Sequence, residues 1–193
     1  MKRFLLLSTF LCASFLMFAQ SDILFDFNQD RLKKQKTAMT ILGSWAIGNI
    51  AVGSVLASRQ EGTSKYFNQM NAGWNVINLA IAGFGYYGAL KADPSGFDSY
   101  QSIQEQYKLQ KLLLFNAGLD VGYMLGGVYL IERSKNTASD KNPERLKGFG
   151  QSIVLQGAFL FVFDLTTYFV LAADNDNVQT IVGSNGVGVL WQF

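Results

Sequence analysis

Four long runs along the chain contain almost no charged residues. The runs are residues 37–58, 66–90, 112–131 and 148–173. Each reaches the roughly 20 residues that a helix needs to cross the hydrocarbon core of a bilayer. Their only charged side chains are Asp120 and Asp164. Helices of a soluble bundle would show a charged outer face with a period of 3.6 residues, which none of these runs has. The pattern therefore predicts an all-α membrane protein that folds as a four-transmembrane-helix bundle.

The N-terminal segment has a different character. Two basic residues precede an uncharged apolar stretch, and polarity rises after Ala19-Gln20. This is the pattern of a secretory signal peptide, here residues 1–20, with an apolar core too short to span comfortably as a helix. An uncleaved anchor is the alternative, because Met17 fits poorly three positions before a cleavage that follows Ala19.

The remaining chain divides into two parts. Residues 21–177 are predicted to form one transmembrane domain that holds the four spans. In residues 178–193, apolar and small or polar residues alternate after a Gly-Ser-Asn-Gly turn at 183–186. That alternation predicts a short C-terminal β-hairpin or an irregular tail.

Amide and carboxylate side chains lie inside the apolar runs. In the second run, Asn68, Asn71, Asn75 and Asn78 fall within an arc of about 80° on one helix face. Lipid cannot satisfy such groups, and an Asp at the bilayer centre costs about 2.5–3.5 kcal/mol, so we expect them to turn inward. The predicted polar interior consists of eight residues: Asn49, Asn71, Asn75, Asn78, Asn116, Asp120, Gln156 and Asp164.

Three roles are open for this interior. Interhelical amide bonds, worth about 0.6–2 kcal/mol each, hold membrane helices together, so the interior can be purely structural. It can also be a solvated cavity that binds or passes a polar solute, a cation or protons. If Asp120 and Asp164 faced each other, one of them could carry a proton. Catalysis has the least support, because two carboxylates without a basic residue at depth offer few of the groups that enzymes use.

Composition excludes several kinds of catalytic and metal site. The chain has no histidine and one cysteine, Cys12, which lies in the predicted signal peptide. A Ser-His-Asp triad, a His-ligated metal and a disulfide within the chain are therefore excluded, and we predict no metal and no cofactor. Lys2 and Arg3 account for the net charge of +2, so the mature chain is neutral and carries no electrostatic footprint for nucleic acid. The predicted partners are the lipid bilayer and either a second copy or another envelope protein.

The two halves of the chain carry similar segments. Gly53-Ser54-Val55-Leu56 resembles Gly127-Val128-Tyr129-Leu130. The shift that aligns Ala92-Asp93 with Ala173-Asp174 also places Asn75 opposite Gln156. Two duplicated helical hairpins that enter the membrane from the same side would produce such a pattern.

Several motifs together resemble a known kind of protein. They are Tyr66-Phe67-Asn68-Gln69-Met70-Asn71, Trp74-Asn75, Asn78, Gln156-Gly157-Ala158-Phe159-Leu160 and Asp164. They resemble an uncharacterised family of small, signal-peptide-bearing, four-helix membrane proteins of Gram-negative bacteria. The resemblance covers nearly all of the mature chain and implies an envelope location, for which we expect the inner membrane and a multi-pass topology, but it implies no activity.

The functional expectation follows from these patterns. We expect a non-enzymatic structural or interaction role with an amide-lined bundle interior. The alternative is a small transporter or channel-like binder that uses Asp120 and Asp164.

Overall fold

The described part of the chain is entirely helical. A computed structural model of the protein describes residues 2–136 and 142–176, with side chains described from Asp22 onward. The helices are α1 (Lys2–Arg59), α2 (Gly62–Lys91), α3 (Ser99–Arg133) and α4 (Pro143–Ala172), with a short 3-10 turn at Pro94–Gly96 between α2 and α3. The all-α prediction is confirmed for these residues, which contain no strand. The C-terminal β-hairpin predicted at 178–193 lies outside the described residues.

Local sequence signals explain where the helices begin. At the start of α3, the Asp98 carboxylate accepts from the Gln101 amide N–H at 2.7 Å, and the Gln101 side chain accepts from the Asp98 N–H at 3.1 Å. At the start of α4, the Asn142 side chain accepts from the Arg145 N–H at 3.0 Å. Gly62 has a φ of +59°, which glycine adopts at little cost, and it permits the tight turn from α1 into α2.

Helix α1 is longer than the predicted first span. It runs without a break from Lys2 to Arg59, so residues 2–20 of the predicted signal segment and the run 37–58 belong to one continuous helix. Within the described residues, three helices are long and apolar enough to cross a membrane: Asp22–Arg59, Ser99–Arg133 and Pro143–Ala172. By this measure there are three candidate spans instead of the four predicted, because α2 carries a stripe of asparagines that lowers its hydropathy.

The four helices form two antiparallel hairpins. Helix α1 packs along α2, α3 packs along α4, and the hairpins meet mainly through α2 and α4. The first turns of α2 and α4 lie side by side, where Asn142 donates to the Tyr66 hydroxyl at 2.9 Å. Helices α2 and α4 therefore run parallel at the centre, and α1 and α3 flank them.

Each hairpin closes tightly over a glycine. A Cβ added at Gly53 on α1 would lie 3.0 Å from the Asn68 carbonyl oxygen on α2 and 3.2 Å from the Cβ of Ala72. A Cβ added at Gly127 on α3 would lie 2.7 Å from the Gly150 carbonyl oxygen on α4. The absent side chains let the two backbones approach in both hairpins.

The glycine contacts also show which positions of the two hairpins are equivalent. Gly53 sits over Asn68 and Ala72, and Gly127 sits over Gly150 and Val154. This correspondence differs by one residue from the predicted alignment, which set Asn75 opposite Gln156.

Burial is inverted relative to a soluble protein. The largest fully buried side chains are polar: Gln106, Gln156, Asn28, Asn75, Ser102 and Ser152. The larger of two clusters of buried apolar side chains is itself small and consists of Ala38, Leu42, Ala82 and Phe163. Large apolar side chains are exposed on all four helices, among them Ile47, Val55, Ile77, Phe84, Phe115, Leu125, Val162 and Phe169. Polar groups turned inward beneath an apolar surface are what a lipid environment demands.

Candidate functional site

A closed ring of hydrogen bonds joins α1, α2 and α4 at the middle of the bundle. The Trp45 indole N–H donates to the Gln156 side-chain oxygen at 3.0 Å, and the Gln156 amide donates to the Asn71 side-chain oxygen. Asn71 in turn donates to the Asn49 side-chain oxygen at 2.7 Å. Asn49 then donates to the Trp45 carbonyl oxygen at 2.8 Å, which closes the circuit. We call Trp45, Asn49, Asn71 and Gln156 the amide ring.

The ring continues along α2 towards the other end of the bundle. Asn75 is fully buried and donates to the Asn71 carbonyl oxygen at 2.8 Å. Asn78 donates to the Asn75 side-chain oxygen at 3.3 Å. Beside the ring, Trp45 stacks on Phe159 with ring centroids 3.8 Å apart and planes 6° from parallel. This polar and aromatic layer leaves little space between α1, α2 and α4.

Next to the amide ring, the helices separate and leave a cavity of about 360 Å³. Most of its wall is apolar, with leucine, isoleucine, methionine and phenylalanine side chains from all four helices. The polar side chains in the wall are Gln35, Asn78, Asn116, Asp120, Tyr123, Asp164 and Thr167. Its volume lies in the range of pockets that hold small organic ligands, about 300–1,000 Å³.

The cavity opens between α2 and α3. These two helices do not pack along each other, and an edge-on contact of Trp74 with Tyr123, 5.0 Å between centroids, joins them near the amide ring. Beyond that contact, wall residues are also surface residues: Ile77 on α2 is 61% exposed and Leu112 on α3 is 54% exposed. The cavity is therefore a cleft whose mouth lies on the apolar outer surface, and we call it the α2–α3 cleft.

Two carboxyl groups lie in the wall of the α2–α3 cleft. Asp120 on α3 and Asp164 on α4 are 3% and 5% exposed, and their side chains are neighbours. Like charges repel strongly in apolar surroundings, so two neighbouring buried carboxyl groups share one proton instead of both ionising. Asp120 Oδ2 is buried and accepts no hydrogen bond from an N–H or hydroxyl group in the described part of the chain. We call Asp120 and Asp164 the carboxyl pair.

A glycine explains how the carboxyl pair comes together. A Cβ added at Gly157 on α4 would lie 3.0 Å from the Asp120 carbonyl oxygen and 2.9 Å from Met124. The missing side chain lets α3 lie directly against α4 at this level, one to two helical turns from Asp164. The sequence left open whether the two aspartates face each other, and the structure brings them together.

The eight residues of the predicted polar interior fall into two groups. Asn49, Asn71 and Gln156 belong to the amide ring, and Asn75 continues it. Asn116, Asp120 and Asp164 line the α2–α3 cleft, and Asn78 belongs to both groups. Six of the eight are buried, whereas Asn49 and Asn116 are partly exposed.

Sequence reasoning missed the role of two tryptophans. Trp45 closes the amide ring, and Trp74 lines the α2–α3 cleft. The repeated Trp-x-x-x-Asn spacing at Trp45–Asn49 and Trp74–Asn78 was the available signal, since residues four apart share a helix face.

A second buried polar cluster lies outside the apolar runs. Asn28 on α1 donates to the Ser102 hydroxyl on α3 at 2.9 Å, and Arg31 donates to the Asn28 side chain at 3.1 Å. Gln106 donates to the Leu171 carbonyl oxygen at 2.6 Å and so joins α3 to the end of α4. We call Asn28, Arg31, Ser102 and Gln106 the polar cap. The four-residue spacing of Ser102 and Gln106 was the signal for it in the sequence.

The fold and the site define a class of protein: a helical bundle with membrane-spanning lengths of helix, a polar interior and an apolar surface. The chain belongs to a family of unknown function (DUF6992), whose model matches residues 41–165. The resemblance to an uncharacterised family is confirmed at that level. A search of curated proteins and a search of solved structures each gave no match. The matched segment contains the whole amide ring and both members of the carboxyl pair.

Proposed function

We propose that the protein is a non-enzymatic, four-span membrane protein of the bacterial envelope that binds a small ligand in the α2–α3 cleft. The observation that carries the proposal is a cavity of ligand size whose wall holds two buried carboxyl groups, Asp120 and Asp164, and no basic side chain among the described residues. A buried charge without a counter-ion is costly unless something binds it. The same cleft supplies an apolar wall for the rest of the ligand.

The proposal of a fourth span rests on the two faces of α2. Its buried residues include Asn68, Asn71, Asn75 and Asn78, whereas Val76, Ile77, Ile81 and Phe84 are exposed. The face that would meet lipid is therefore apolar, although the mean over the whole helix is lowered by side chains that lipid never meets. The signal-peptide pattern at 1–20 supports export to the envelope, with the inner membrane as the proposed location.

Binding is supported over conduction by the surroundings of the carboxyl pair. The mouth of the cleft lies on the apolar surface between α2 and α3, and the amide ring fills the bundle beside it. A pathway for ions needs a polar lining from one side to the other, which the leucine and isoleucine wall does not provide. The amide ring serves instead to hold α1, α2 and α4 in place around the site.

A neutral probe tests the cleft without involving charge. We expect 4-phenylbutan-1-ol to bind saturably to the protein in lipid nanodiscs, as measured by ligand-observed NMR with empty nanodiscs subtracted. Leu113→Trp should abolish this binding, because Leu113 is buried and lines the cleft. Leu114→Trp is the matched control on the next residue, which is 46% exposed and is not part of the cleft wall, and it should bind as the wild type does. Equal binding to both variants would place the probe elsewhere and contradict the proposal.

A further inference from the structure

The carboxyl pair indicates the chemical class of the ligand. We propose, on the basis of the proposed function, that the α2–α3 cleft binds an amphiphilic organic amine that reaches it from the bilayer, with its protonated amino group at Asp120 and Asp164. The argument rests on the carboxyl oxygens, the balance of charge in the cleft, its aromatic residues and the position of its mouth.

The carboxyl pair calls for a hydrogen-bond donor. Asp120 Oδ2 is buried and accepts from no N–H or hydroxyl group of the described residues. An ammonium group carries three donors and no acceptor, so it can bind the carboxyl oxygens without creating a new unpaired acceptor. A hydroxyl donor would fit the same oxygens, but it would leave the charge of the pair unbalanced.

Charge favours a cation over a neutral donor. Two carboxyl groups that share one proton retain one negative charge, and no lysine or arginine lines the cleft among the residues that the structure describes. A buried charge without a counter-ion is strongly unfavourable in apolar surroundings. A ligand that supplies one positive charge removes this cost, whereas an anionic ligand would add to it.

Aromatic side chains complete the recognition of a cation. Trp74, Tyr123 and Phe163 line the cleft, and Trp74 and Tyr123 meet edge-on with planes 83° apart. Aromatic faces attract ammonium groups, with contributions of about 0.5–2 kcal/mol, and are common in sites that bind organic amines. A bare metal cation would find fewer partners, since no cluster of three or more His, Cys, Asp or Glu residues occurs in the described part of the chain.

The mouth of the cleft determines where the ligand comes from. Ile81 on α2 is 53% exposed and Leu119 on α3 is 41% exposed, and both line the cleft. Water would not wet such an entrance in a membrane protein, but the apolar part of an amphiphile would pass through it. The ligand is therefore one that partitions into lipid and presents its amino group to the interior.

Three probes that share one phenylbutyl chain test the proposal on the unaltered protein. We expect 4-phenylbutylamine to bind at least tenfold more tightly than 4-phenylbutan-1-ol to the protein in nanodiscs at one fixed pH, after subtraction of empty nanodiscs. The trimethylammonium analogue keeps the charge but has no N–H donor, and it should bind more weakly than the primary amine. Equal affinity for amine and alcohol would overturn the inference and leave the proposed function standing. Failure of all three probes to bind would overturn both.

Variants of the carboxyl pair provide the second part of the binding test. The double variant Asp120→Asn with Asp164→Asn keeps the shape of both side chains and removes their charge. We expect it to lose the preference for the amine over the alcohol. Asp26→Asn makes the same chemical change at an exposed position on α1 and should keep the preference. An amine preference that survives in the double variant would contradict the assignment of the amino group to this pair.

Discussion

Gln156→Leu should lower the free energy of unfolding by about 3 kcal/mol, the largest effect that we expect from a single side chain in the bundle. Gln156 is fully buried and makes two bonds of the amide ring, one from Trp45 and one to Asn71. Leucine has a similar volume but removes both bonds at once. The Trp45 N–H and the Asn71 side-chain oxygen would then lose their partner.

The matched control for this change lies on the same helix. Gln151 on α4 is exposed, so Gln151→Leu makes the same chemical change outside the amide ring and should leave the unfolding free energy almost unaltered. The measurement is reversible unfolding in mixed micelles, followed by tryptophan fluorescence. Similar stability of the two variants would mean that the amide ring does not hold α1, α2 and α4 together.

Two adjacent glycines on α3 should respond differently to substitution by alanine. A Cβ at Gly127 would meet the Gly150 carbonyl oxygen at 2.7 Å, Val154 Cγ2 at 2.8 Å and the Val154 nitrogen at 3.0 Å. Two of these atoms are backbone, so the helices would have to move apart. We expect Gly127→Ala to cost about 2–3 kcal/mol, the usual cost of overpacking a close contact.

Gly126 is the control, since nothing lies within 4 Å of a Cβ built there. Gly126→Ala should be neutral or should stabilise the protein by up to about 1 kcal/mol, because alanine is the better helix former. The same unfolding assay compares the two variants. Equal effects of the two substitutions would contradict a close approach of α3 to α4 at Gly127.

The helical fold could be predicted from the pattern of charge alone. Long runs without charge predict the helices. Because lipid offers no hydrogen-bond partner, residues such as Asn75 and Gln156 turn towards the interior of the bundle. The hydropathy of α2 was harder to interpret, because its average includes asparagines that face the interior. A mean hydropathy taken over a whole helix hides the difference between its two faces. The burial of the individual residues shows this difference.

The pairing of polar groups could not be predicted from the sequence. Periodicity places Asn49, Asn71 and Gln156 on inward faces, but it contains no information on the axial heights at which three separate helices meet. That information comes from close contacts such as the one at Gly127. The same limit applies to Asp120 and Asp164, whose approach depends on the contact of α3 with Gly157.

The polar cap was missed for a different reason. Its residues lie in segments that the charge pattern assigns to connections, so no polar side chain there is unexpected. Asn28 and Arg31 are buried only because α1 continues well before the first apolar run and packs on the start of α3. The part of α1 that precedes the first apolar run contains charged residues, so a search for charge-free runs does not detect it.

The most direct test of the central claim, that the α2–α3 cleft is a ligand site, is to map where a ligand becomes attached. The measurement is photo-crosslinking in nanodiscs with a 4-phenylbutylamine that carries a trifluoromethyl diazirine on its ring, followed by peptide mass spectrometry. We predict that adducts concentrate at cleft residues such as Ile77, Ile81 and Leu112 and disappear with excess unmodified amine. Adducts spread evenly over lipid-facing residues such as Val55 and Val162, without competition, would contradict the account.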